Sequence, residues 1–403
     1  MSFQRSLLQF GGHFNHEPSF FLNATANVVA KVGWEEGRKL SLSWAKRRQR
    51  TRFWPRVVSL HSSAAWLISM VSIRQREFGF CGSGTFCLGG CNPLASNTLT
   101  SCMPEPVCQD ATHNFGDTSR ILTNATYFGG NASAYDWVVD KGSVINGTKA
   151  GEIALILTED NGGTRMSSTR YIHYGKITAR IKTGRWGGVV TAFITMSDIK
   201  DEIDWEFPGN ATTEGQTNFF WQGVIPEKTQ GNTSAISSDS FSNYHDYTIN
   251  WQPNQLSWAI DDKTVRTIQA SDFVGSDGVN RYPSTPSRIQ LSIWPAGINS
   301  SAPGTVQWAG GMINWNDPDY VSAGHFYALV ESVSIDCQDP TTPDAGTTSY
   351  VYGKNSSSFT PSVAFSNLTT INGARGLLGV DGVAGLKFSV GFAVILAVVG
   401  TFL

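Results

Sequence analysis

The sequence predicts an all-β protein, a β-jelly-roll sandwich of two antiparallel sheets with a small disulfide-rich remnant on its N-terminal side. The first observation is a run of strand-length segments between about 112 and 337: YIHYGKITARIKTG, VVTAFITM, NFFWQGVI, YHDYTINW, QLSWAID, RIQLSIW and HFYALVESVSID. Each alternates or runs apolar, and Gly, Asn, Asp and Pro separate them. The second is that no segment there sustains a 3.6-residue period. Many short strands over a single stretch of this length pack as two sheets. The third is the spacing of the cysteines.

Cys81, Cys87, Cys91, Cys102 and Cys108 crowd a Gly/Pro-rich stretch, and Cys337 stands apart. That density reads as a disulfide staple. Zinc is the rival reading, but no C-x-x-C pair or His partner stands at ligand spacing. Six cysteines allow 15 pairings, and the sequence does not choose among them. Sequons at Asn124, Asn131, Asn146, Asn210, Asn232, Asn299, Asn355 and Asn367 point with the cysteines to the secretory pathway.

The 403 residues suffice for one large domain or two ordinary ones, and 40% hydrophobic residues suffice for a core. A formal charge of −2 provides no global field for nucleic acid. Only Lys46 to Arg56 is basic. A signal-like apolar run follows it at 57–73, far from the start. Residues 1–77 are therefore an atypical leader or a wrongly assigned N-terminus, and the second reading is favoured.

The C-terminal residues Phe388 to Leu403 are apolar but short for a membrane span. Upstream stand the small residues Asn372-Gly373-Ala374 and a spacer. The segment 372–403 thus matches a GPI-anchor signal, with attachment at Asn372 or a neighbour such as Ser366 or Gly373. A tail-anchor helix is the alternative. Residues 338–371 are rich in Ser, Thr, Pro and Asn, and read as an unfolded, glycosylated stalk.

The sharpest feature is Asp201-Glu202-Ile203-Asp204-Trp205-Glu206-Phe207. On a strand, Glu202, Asp204 and Glu206 share one face, while Ile203, Trp205 and Phe207 point to the other. On a helix the acids would scatter about the axis. Three carboxyls on one strand face repel one another and raise at least one pKa. A solvated polar face would mix its charges, and a calcium loop would carry D-x-D-x-D-G spacing. The pattern instead suits a retaining glycosidase pair, one carboxylate attacking the anomeric carbon and one acid protonating the leaving oxygen. The Cα atoms of Glu202 and Glu206 stand about 13 Å apart on a strand. Two long side chains leaning inward can bring their carboxyls toward the roughly 5–5.5 Å that retention needs.

E-I-D-x-E on a jelly-roll strand resembles glycoside hydrolase family sixteen. DEIDWEFPGN, TNFFWQG (217–223), RIQLSIWPAG (288–297) and GTVQWAGG (304–311) narrow the likeness to the fungal Crh-type transglycosylases. CGSGTFCLGGCNP (81–93) and SCMPEPVC (101–108) resemble their Utr-like, chitin-binding-module branch. Only the end of a hevein-type module is visible, so 78–110 is a partial chitin-binding segment and 111–337 the catalytic jelly roll.

The resemblance implies Glu202 as nucleophile, Glu206 as acid/base and Asp204 as helper, and gives Asp201 no catalytic role. It also implies that Glu206, Gln290, Trp294 and Thr305 contact sugar, with Trp221 and Trp308 as weaker candidates. Aromatic faces stack on sugars, and amides and hydroxyls read their hydroxyl groups. Lys182 and Arg185 read as solvated surface and His245 as a satisfied structural histidine. No cofactor or catalytic metal is expected.

The resemblance implies an enzyme that moves chitin onto β-glucan, a monomer in the cell wall or on the plasma membrane through a GPI lipid anchor. Two other readings stand beside it. An endo-β-glucanase acting only as a hydrolase would use the same residues. A non-catalytic wall lectin would not need three crowded acids.

Overall fold

Strand alternation in this chain builds two large sheets. A computed structural model describes residues 74–75, 81–82, 91–96, 102–125, 130–353 and 361–369. In one eight-stranded sheet the spatial order is Asn232–Ala235, Glu214–Phe220, Glu202–Pro208, Val189–Ser197, Ser287–Pro295, Thr164–Ile172, Trp137–Lys141 and Ile121–Leu122. The other runs Lys263–Gln269, Gln255–Ile260, His245–Trp251, Gly175–Lys182, Phe326–Cys337, Ile153–Leu157 and Ser143–Asn146, with Ala111–Asn114 also on Phe326–Cys337. Pairing is antiparallel except between Ile121–Leu122 and Trp137–Lys141.

The inward faces make one core. Trp137, Phe193, Trp205, Phe207, Tyr247, Trp251, Trp258 and Phe326 are fully enclosed in it. Burying each such ring stabilises the fold by about 1.5–3 kcal/mol or more. Indole N–H groups cross between the sheets: Trp205 Nε1 donates to the Thr248 carbonyl and Trp258 Nε1 to the Asp204 carbonyl, both at 3.1 Å. The carboxylate strand is therefore fixed from behind at both Asp204 and Trp205.

Two local features differ from the sequence expectation. The run YIHYGKITARIKTG is two strands, Thr164–Ile172 in one sheet and Gly175–Lys182 in the other. Tyr174 (φ 71°) and Gly175 (φ 145°) turn the corner. A Cβ on Gly175 would lie 2.2 Å from the Asp336 carbonyl oxygen, so only glycine allows that approach. Two six-residue helices, Pro303–Trp308 and Pro318–Ala323, also interrupt the strands. Each opens on proline, which the first helical turn tolerates, and six residues are too few to display a helical period.

The stalk reading of 338–371 needs correction. Ser349–Tyr352 pairs with Val363–Ser366 on one side and with Glu105–Pro106 of the Cys-rich segment on the other. Tyr350 is buried, packs against Phe365 and His173, and donates to Asp339 Oδ1 at 2.8 Å. The polar average of the segment concealed two short alternating strands with enough aromatic area to dock.

Four of the six cysteines pair as Cys91–Cys102 and Cys108–Cys337. The second bond ties the N-terminal segment to the end of a central strand. The side chains of Cys81 and Cys87 lie outside the described residues, as do most of 1–77 and all of 372–403, including Asn372.

Candidate active site

Glu202–Pro208 lies between Glu214–Phe220 and Val189–Ser197. Its residues alternate as the period of two requires. Ile203, Trp205 and Phe207 enter the core, and Glu202, Asp204 and Glu206 line the opposite face. Register sets three rows across that face. Glu202 stands between Phe220 and Met196, Asp204 between Asn218 and Ile194, and Glu206 between Gln216 and Ala192. Ser287–Pro295 continues these rows with Arg288, Gln290 and Ser292.

The three acids are almost removed from water, at 4%, 0% and 8% exposure. No nitrogen or hydroxyl of the described residues hydrogen-bonds Glu202 Oε1 or either Asp204 carboxyl oxygen. Burial raises all three pKa values. Glu202 is pushed up to about 7, with a hydrogen bond to Asp204 and the charge of Lys200 acting against burial. Glu206 is pushed up to about 8, by burial first and the Glu202 charge second. Asp204 rises well above its ordinary value through burial, then through the charges of Glu202 and Glu206. The interaction between the two carboxyls lowers Glu202 and raises Asp204.

Asp201 is a separate case. It is buried on the other side of the strand start and accepts from Gln222 N, Ser284 N and Thr285 Oγ1 at 2.8–3.0 Å. It pins two loops rather than facing the cleft.

Gln290 and Trp294 share the carboxylate face of their strand, paired with Ile194 and Val190. Trp294 stacks on Trp308 with ring centroids 6.0 Å apart, and both pack on Val190, Ala192 and Ile194. Thr305 opens the turn of helix Pro303–Trp308 that ends in Trp308, three residues on and hence on the same side. Its buried hydroxyl has no hydrogen-bond partner among the described residues. Gln290, Trp294, Thr305 and Trp308 thus gather on the carboxylate side.

Trp221 does not join them. The strand ends at Phe220, and Gln222 (φ 50°) and Gly223 (φ 67°) form a two-residue reversal that bridges Trp221 to Val224. Trp221 is left under the Arg281 guanidinium, 5.5 Å from its ring centroid. Phe220, in the Glu202 row, takes the place expected of it.

Lys182 lies over Tyr244, and Arg185 pairs with Asp319 at 2.6 Å over the Phe241 ring. His245 is held by Asp261 at 2.7 Å and Ser238 at 2.9 Å. None of these three reaches the carboxylate face.

The residues that sequence reading missed are Gln216, Asn218, Phe220 and Arg288. Their signal is alternation within Glu214–Phe220 and Ser287–Pro295. It becomes readable only once those strands are known to flank the acids.

Residues 131–310 match the family "Glycosyl hydrolases family 16". "Crh-like protein 2" of Aspergillus fumigatus is 41% identical over 308 residues, 75% of this chain and 68% of that protein. "Crh-like protein 3" of Botryotinia fuckeliana is 41% identical over 262 residues, 65% of this chain and 58% of that protein. The chain therefore spans only 58–68% of the length of these two relatives. A solved structure, "Crh5 transglycosylase in complex with NAG", matches with a TM-score of 0.54 at 29% identity, over 68% of this chain and 100% of that one. With this fold, a buried E-I-D-W-E strand and these relatives, the chain belongs to the Crh-like glycosyl hydrolases of family 16.

Proposed function

We propose that the protein is a retaining cell-wall transglycosylase that cleaves chitin and passes the severed chain to a β-glucan acceptor. The observation that carries this is a row of three buried carboxyls, Glu202, Asp204 and Glu206, on one strand face. Burial raises the pKa of each, and the Glu202 charge raises Glu206 and Asp204 further. Such a row can hold one carboxylate as nucleophile and one protonated acid beside it.

Glu202 attacks the anomeric carbon while Glu206 gives its proton to the departing glycosidic oxygen. The C–O bond to the leaving sugar breaks and a glycosyl ester forms on Glu202. Asp204 donates its hydrogen bond to Glu202 and so orients the attacking carboxylate. Glu206, now ionised, takes a proton from an acceptor hydroxyl. The acceptor oxygen bonds to the anomeric carbon as the ester to Glu202 breaks, and configuration is retained.

The NAG-bound Crh5 structure supports a donor built of the same sugar. Gln290, Trp294 and Thr305 would bind donor sugar, with Trp308 beside them. Secretion to the wall, a GPI anchor attached near Asn372 and a monomeric state complete the proposal. The anchor is read from the sequence of 372–403, and the pattern of sequons and disulfides supports the compartment.

The test supplies a chitin oligosaccharide and a fluorescent laminarin-type acceptor to the protein made in a secretory host. Fluorescent hybrid product is expected from the parent, with a loss of about 10³-fold or more in Glu202→Gln and in Glu206→Gln. Activity is expected to rise and fall around pH 7–8, with both limbs belonging to the coupled cluster. Shortened oligosaccharide without hybrid would make the protein a hydrolase. Parent-level activity in both variants would overturn the assignment of the pair.

A further inference from the structure

Trp308 Nε1 donates a hydrogen bond to Gln216 Oε1 at 2.8 Å. The two residues come from opposite sides of the carboxylate strand. Gln216 is the direct neighbour of Glu206 on one flank. Trp308 stacks on Trp294 and packs against the apolar cluster on the other flank that includes Val190 and Ala192, and Ala192 is the opposite neighbour of Glu206. The indole must therefore reach across the Glu202–Pro208 strand at its Glu206 end to meet Gln216.

The base of the indole is fixed too. The Gly188 amide donates to the Ala309 carbonyl at 2.7 Å, and Gly310 (φ 87°) lies so close to Asn210 that a Cβ would come within 2.4 Å of it. The backbone after Trp308 is thus locked to the sheet, while Gln216 holds the ring's far edge.

We propose that Gln216 is a positioning residue whose hydrogen bond clasps Trp308 over Glu206 and so favours a sugar hydroxyl over water in the second displacement. This rests on the acid/base reading of Glu206. In that step Glu206 removes a proton from whichever O–H reaches it, and the oxygen displaces Glu202 from the anomeric carbon. Transfer and hydrolysis differ only in the owner of that O–H. An apolar wall of Trp308, Trp294, Val190 and Ala192 beside Glu206 gives bulk water little to hydrogen-bond, whereas a sugar ring can lay its C–H face on the indoles. A freed indole would swing and let water in.

The same clasp bears on the Glu206 proton. Glu202 and Asp204 face Glu206 from its own strand. Val189–Ser197 and Pro303–Trp308 bring no titratable side chain. Glu214–Phe220 brings only Glu214, exposed at its end, and Ser287–Pro295 brings Arg288, in the Glu202 row. Burial is the first cause of the raised Glu206 pKa, so opening the wall would lower it.

The experiment measures hybrid product against shortened oligosaccharide, across pH, for the parent, Gln216→Ala, Gln216→Glu and Trp308→Phe. Gln216→Ala is expected to lower the transfer-to-hydrolysis ratio about 3–10-fold and to move the basic limb of the pH profile down. Trp308→Phe keeps an aromatic face but loses the N–H along with the indole's second ring, and is expected to do the same. Gln216→Glu still accepts from Trp308, so the ratio is expected to hold, while the added carboxylate moves the basic limb up. An unchanged ratio and basic limb in a folded Gln216→Ala or Trp308→Phe would overturn the clasp. If Glu206→Gln is inactive while those variants match the parent, the clasp alone is wrong. If Glu206→Gln is as active as the parent, the acid/base reading falls instead.

Discussion

Arg180, on the outer face of the Gly175–Lys182 sheet, stands between Asp246 and Glu331, and Lys149 reaches the same Glu331 at 2.7 Å. On the cleft face of Glu202–Pro208, three carboxyls stand in a row; burial raises the pKa of each, and the Glu202 charge raises Asp204 and Glu206 further. Both arrangements sit on strands with alternating residues, and both put charged groups within reach of their neighbours. The first joins opposite charges at a half-exposed surface: Lys149, then Arg180, keeps Glu331 below its usual value despite partial burial. The second buries like charges, so that protons must be shared. A fold selected for stability alone has no use for the second pattern. Its presence marks the place where proton transfer matters more than stability.

The core face of the same strand shows what that liability requires. Trp205 is enclosed, stacks on Phe207, and ties to the opposite sheet through its indole N–H. Replacing it leaves a large cavity and removes the indole's hydrogen bond to the Thr248 carbonyl. Trp205→Ala is expected to cost about 3–5 kcal/mol, read as a fall in the denaturation midpoint. A loss under about 1 kcal/mol would mean that the strand is held chiefly by its flanking pairings, and the contrast between its faces would weaken.

The cleft face is expected to respond in the opposite direction. A carboxyl whose folded pKa lies above its unfolded value gives stability that is present at low pH and lost as pH rises through the folded value. For Glu206 that loss runs from about pH 4.5 to about pH 8. Glu206→Gln removes this titration. The variant is expected to match the parent near pH 4 and to melt about 2–4 °C or more higher at pH 8–9. A gap that is constant with pH would mean that Glu206 is not held protonated by its burial.

Much of this contrast was legible in the sequence because a strand's period is two. D-E-I-D-W-E-F assigns acids to one face and bulky apolar residues to the other without any knowledge of the partners. For Trp294 and Gln290, which the family resemblance implied, the same rule adds that they share one strand face. What failed depended on pairing across long separations. Nothing local shows that Gln216 lies beside Glu206 or that Trp308, rather than Trp221, returns to the site. The corner at Tyr174–Gly175 hid inside an apolar run, and Gly175 was its one local sign. The strands at Ser349–Tyr352 and Val363–Ser366 were lost in a composition average, although S-Y-V-Y and V-A-F-S each alternate. Cysteine pairing is set by where the chain ends meet, which composition does not encode.

The smallest expected effect lies on the outer sheet. Arg180 is 39% exposed at its side chain, so water screens its ion pairs and its long side chain loses rotamer freedom in making them. Arg180→Ala is expected to change stability by less than about 1 kcal/mol and to leave the pH dependence of transfer unaltered. The measurement is urea denaturation of parent and variant at low and high salt, with the difference shrinking as salt rises. A salt-independent loss of several kcal/mol would place Arg180 among the supports of the fold. The distinction between a tolerant charged surface and a strained charged cleft would then have to rest on the sign of the neighbouring charges alone, rather than on their burial.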